Sequence, residues 1–129
     1  MFTTPGPDAP RAKAYVAIVA TPDGGSAFQD GSLDLEARVV AQTLPPLGVA
    51  QLSGVGGVLF LSTGAFESPP HPAPRRQWVI PLRGELLVTV SDGTSRRFGP
   101  GDLVLVTDTT GVGHATVATA GEALFVPVE

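Results

Sequence analysis

A chain of 129 residues with 43% apolar content is one domain by length, large enough to bury a core without staples. Its net charge of −4 and the lack of a basic stripe interleaved with aromatics leave nucleic acid out of the expected partners. Without cysteine there is no disulfide framework, thiol nucleophile or Cys-type zinc site, and no apolar run approaches the roughly 20 residues that span a bilayer.

Gly 16 and Pro 13 fall between recurring apolar β-branched runs, so they read as punctuation between strands. The absence of asparagine removes N-glycosylation, and a single lysine amid much Ala, Gly, Pro and Arg suggests a GC-rich bacterial genome. Residues 1–12, rich in proline, read as a tail before a single domain at 13–129. Arg11 and Lys13 precede a seven-residue apolar run at 14–20 that is too short for a secretory signal. It reads instead as a first β-strand, and the expected location is the cytoplasm.

Residues 21–26 form a turn cluster, and 27–32 read as a loop anchored by Phe28. Residues 33–44 fit both the strand and the helix period, and their β flanks favour a strand. Pro45 and Pro46 break the chain, 48–53 read as a short strand or irregular segment, and 53–57 as a turn. A buried strand is expected at 58–63 and a loop at 64–74, leading into a central strand at 75–82. Asp92-Gly93 links strands at 85–90 and 95–98 as a hairpin, because that pair tolerates positive φ. Further strands follow at 103–107, 114–119 and 123–128. About nine short strands and no expected helix make an all-β sandwich or barrel.

The two histidines, His71 and His114, are the residues best suited to chemistry. Residues two apart in a strand share a face, so His71, Ala73, Arg75, Gln77 and Val79 are expected on one side, with Arg76, Trp78 and Ile80 on the other. Alternation likewise joins His114 with Thr116. Trp78 then reads as core filler or a dimer contact.

The stretch from His71 to Ala118 resembles the cupins, a family of small jelly-roll barrels. The family's first motif is Gly, five residues, His-x-His, three or four residues, Glu, six residues, Gly. The chain has Ala65, five residues, His71-x-Ala73, three residues, Gln77, six residues, Gly84. The second motif, Gly, five residues, Pro-x-Gly, two residues, His, three residues, Asn, reads here as Gly101, seven residues, Thr109-x-Gly111, two residues, His114, three residues, Ala118. The resemblance extends from about Phe60 to the end and is shared with small bacterial single-domain cupins. It implies a cupin-type jelly-roll barrel of about nine short antiparallel strands.

It also implies a pocket holding a small molecule, with one divalent metal (Fe, Mn, Ni or Zn) on His71, Gln77 and His114. Ala73 and Gln77 stand where the family has a histidine and a glutamate, so a metal-free pocket is an equal expectation. Asp108 supplies a carboxylate if its loop folds inward, or else begins a turn. Arg75 clamps an anionic ligand if it shares the inward face, or else is surface. Three readings follow: a metal-assisted dioxygenase- or isomerase-like enzyme, a metal-free ligand-binding module, and a metal-free isomerase using a histidine as general base. No serine elbow or paired carboxylates support other hydrolytic chemistry. A homodimer is expected, since open sheets hide edge strands and apolar faces.

Overall fold

A computed structural model describes residues 11–52 and 54–129. Among them are twelve strands and no helix: β1 Ala12–Ala20, β2 Ser26–Asp34, β3 Glu36–Arg38, β4 Leu47–Val49, β5 Leu59–Thr63, β6 Phe66–His71, β7 Gln77–Arg83, β8 Leu86–Thr89, β9 Ser95–Phe98, β10 Val104–Val106, β11 His114–Ala118 and β12 Gly121–Pro127. The protein is all-β as expected, but it has twelve strands rather than about nine, and its sheets do not close into a barrel. Six strands form one sheet in the order β2-β1-β10-β7-β12-β5, four form another in the order β6-β11-β8-β9, and β3-β4 stand as a small hairpin. Pairing is antiparallel except between β1 and β10, which run parallel.

Period-2 patterning orients β1. Ile18 is fully buried and Val16 packs on the same core, while Tyr15 turns to the opposite face and meets Trp78 edge-to-face, with centroids 5.2 Å apart. Ile18, Val79, Val104 and Val106 of the large sheet face Val88 and Phe98 of the small one, and together they form the core. The Asp92-Gly93 hairpin stands as expected: Gly93 has φ 88, Val90 N–H donates to the Thr94 carbonyl at 3.0 Å, and Thr94 N–H donates to Asp92 Oδ1.

Four expectations are corrected, three of them because the strand lies at a sheet edge. Residues 27–32 are no loop but belong to β2, which pairs with β1 from Ala20↔Ser26 to Ala12↔Asp34. An edge strand bonds on one side only, and Gln29, Asp30 and Ser32 of β2 are exposed. Gly31 fits because a Cβ there would collide with the ring of its partner Tyr15. Residues 64–74 contain β6, also an edge strand, where Pro69 and Pro70 coincide with a register shift opposite β11. Proline lacks the N–H that an interior strand needs, so edges and bulges are where a strand tolerates it.

The strand expected at 33–44 splits between the end of β2 and the three residues of β3, and 39–46 lie outside any strand. The strand at 58–63 was expected to be buried, but β5 is an edge strand whose Leu59 and Phe60 are exposed. At the N-terminal boundary, the tail expected at 1–12 lies outside the described residues up to position 10. Ala12 opens β1, and the Arg11 carbonyl accepts from Leu35 N–H.

Candidate functional site

The two sheets leave a cavity of about 410 Å³ between them. Its wall is mostly apolar, with Leu61, Phe66, Leu86 and Phe125 among the lining residues. His71, Gln77, His114 and Thr116 also line it. Four of the sequence-derived site residues thus share one cavity.

The histidines meet because β6 and β11 are neighbours and pair His71 directly with His114. Their rings lie 6.2 Å apart between centroids at 30°. Gly113 makes this approach possible. It has φ 75, and a Cβ there would stand 1.9 Å from the His71 carbonyl oxygen. Ser26 Oγ donates to the Gly113 carbonyl at 2.7 Å and ties this segment to the start of β2.

Each imidazole is oriented through Nδ1. For His114 the partner is Asp108, whose Oδ2 lies 2.6 Å away. The Asp108 side chain is fully buried and that of His114 is 12% exposed. Asp108 is held from behind, since its backbone carbonyl accepts from Ala73 N–H at 3.0 Å. For His71 the partners are the Pro69 carbonyl at 2.9 Å and Ser68 Oγ at 3.1 Å. His71 is exposed while lining the cavity, which places it at the mouth; His114 sits deeper. A base held in one tautomer by a buried carboxylate offers a lone pair at the other ring nitrogen, the requirement for moving a proton or binding a Lewis acid.

Gln77 opens β7, is 5% exposed, and its Oε1 is sealed in the wall with no hydrogen-bond partner among the described residues. Asp108 Oδ1 is likewise buried and unpartnered. Most buried polar atoms are bonded, so the unpartnered Gln77 Oε1 sets this wall apart from ordinary core.

Arg75 does not follow the expected alternation. β6 ends at His71 and β7 begins at Gln77, and the bend between them leaves Arg75 exposed and outside the cavity wall. Parity carries from His71 to Gln77 only because the bend returns both to the same cavity, with buried Ala73 between them. Trp78 is buried and is not part of the cavity wall. Asp108 folds inward as one of its two expected roles required, but it acts through His114 and does not itself line the cavity. Sequence reasoning missed Ser68, the Pro69 carbonyl and Gly113. The Gly-Val-Gly-His run at 111–114 was the available signal, since glycine before a functional residue marks close backbone approach.

Among the described residues no three His, Cys, Asp or Glu side chains form a group able to hold a metal ion. No protein-family model matches the chain, and no curated protein matches it.

Proposed function

We propose that the protein binds a small organic molecule in the cavity between its sheets, its polar end meeting His71, Gln77, His114 and Thr116. The observation that carries this reading is the convergence of two oriented imidazoles on an apolar cavity of about 410 Å³, within the range of small-molecule sites. The fold behind the proposal is a cupin-type jelly roll, supported by two facing sheets and by the in-register pairing of the two motif histidines. A thermal-shift screen over small alcohols, phenols, acids and sugars tests it. A ligand at 100 times its Kd adds about 2.7 kcal/mol of stability. Ala123→Phe, which fills the cavity from β12, should abolish the shift; a shift that survives this variant places the ligand elsewhere.

A second reading is a divalent metal held by His71, Gln77 and His114. It is supported by the two Nδ1 contacts, since metal-bound imidazoles usually give their other nitrogen to a carboxylate or carbonyl. Two imidazoles and an amide oxygen form a neutral donor set, and Gln77 must turn Oε1 out of the wall to join it. A bound metal would supply Lewis-acid polarisation of a ligand oxygen. Metal analysis of untagged protein decides this reading. Bound metal that is lost in a His71→Ala/His114→Ala double variant supports it, and substoichiometric metal in the wild type ends it.

The proposal keeps the homodimer as its assembly. From Val39 to Phe66 no residue is charged, and nine of the twelve exposed large hydrophobics among the described residues fall in that stretch. Light scattering should give twice the chain mass, and Phe60→Glu on the free edge of β5 should lower it. The cytoplasm remains the proposed location.

A further inference from the structure

The hydrogen bonds behind the two imidazoles decide which ligand chemistry the cavity accepts. His71 Nδ1 lies 2.9 Å from the Pro69 carbonyl, an oxygen that only accepts. His114 Nδ1 lies 2.6 Å from Oδ2 of the Asp108 carboxylate, which when ionised also only accepts. In both neutral rings the proton therefore sits on Nδ1 and the lone pair on Nε2. Among the described residues no lysine or arginine lines the cavity, and Arg75 stands outside it. An entering carboxylate or phosphate would lose its hydration shell and meet two acceptors instead of donors.

We infer that the cavity selects neutral ligands with an apolar body and a hydroxyl head that donates to the imidazoles, and rejects anions of the same shape. This inference rests on the cavity-binding reading above and names the ligand class for it. It replaces the anion clamp expected of Arg75.

Three probes of one shape separate the possibilities: naphthol, naphthoate and naphthalene, titrated by calorimetry at about pH 8.5, above the range in which imidazoles ordinarily take up protons. A chelator in the buffer prevents an adventitious metal from creating an anion site. Naphthol should bind about tenfold more tightly than naphthalene, the factor expected of one net hydrogen bond, and naphthoate at least tenfold more weakly than naphthol. His114→Leu should erase the preference for naphthol over naphthalene. If that variant fails to fold, His71→Leu, at the exposed mouth, should reduce the same preference. Naphthoate binding as tightly as naphthol overturns the inference but leaves the cavity as a binding site. If not even naphthalene binds, the cavity-binding reading falls as well.

Discussion

Replacing Gln77 with leucine should stabilise the protein. The side chain is 5% exposed, and its Oε1 is sealed without a partner among the described residues. A buried polar atom left unsatisfied costs about 1–3 kcal/mol, because the unfolded chain returns it to water. Leucine has similar bulk and no polar atom, and Val79, two residues along β7, is an apolar member of the same cavity wall. Gln77→Leu should therefore raise the unfolding free energy by about 1–3 kcal/mol. For a chain of this length that corresponds to a rise in Tm of roughly 3–15 °C. Urea denaturation should show a higher midpoint at an unchanged slope, which separates a gain in native stability from a change in the unfolded state. Unchanged or reduced stability would refute the argument, since it would mean that Oε1 is satisfied in the folded protein. Gln77 also lines the cavity, so the same variant should weaken the response to cavity ligands.

Gly113→Ala should destabilise by at least about 2 kcal/mol, because it combines positive φ with a Cβ driven into the His71 carbonyl; urea midpoints check this, and a neutral result would mean that β6 and β11 are not in contact there. Asp108→Ala should cost about 1–3 kcal/mol and release the proton on His114 from Nδ1, which nitrogen-15 shifts of the imidazole read directly; an unmoved tautomer would refute the role given to Asp108. Acid should weaken the fold through three exposed carboxylates held below the usual carboxylate range: Asp30 by the Arg96 hydrogen bond and charge, Asp23 by Thr21 and the Gly25 N–H, and Asp92 by Thr94. A lowered carboxyl adds stability above its unfolded value, near 3.9, and loses it as the pH falls through the lowered one. Tm should therefore fall more steeply below about pH 4 in the wild type than in an Asp23→Asn/Asp30→Asn/Asp92→Asn variant, and equal slopes would refute the assignment.

Local chemistry was enough to reveal much of this protein. Alternating Val and Ile marked β1, and the Asp92-Gly93 pair marked the β8–β9 hairpin. These signals act over a few residues, through side-chain period and turn preference, so they survive in the sequence. Edge position was not legible in the same way. Residues 27–32 and the Pro69-Pro70 pair looked unlike strands because a central strand could not tolerate them, yet β2 and β6 lie at sheet edges, where half the backbone faces away from the sheet. Arg75 was misplaced because a bend between β6 and β7 interrupted an alternation that holds only within one unbroken strand. The orientation of the imidazoles by Asp108 and Pro69, the 1.9 Å approach that excludes a side chain at Gly113, and the sealed oxygen of Gln77 depend on contacts between strands distant in sequence or on the turn of a single carbonyl. The sequence by itself determined an all-β chain with two histidines. Only the tertiary structure decided that those histidines share a wall, because strand order and sheet edges are set by long-range packing rather than by any local run of residues.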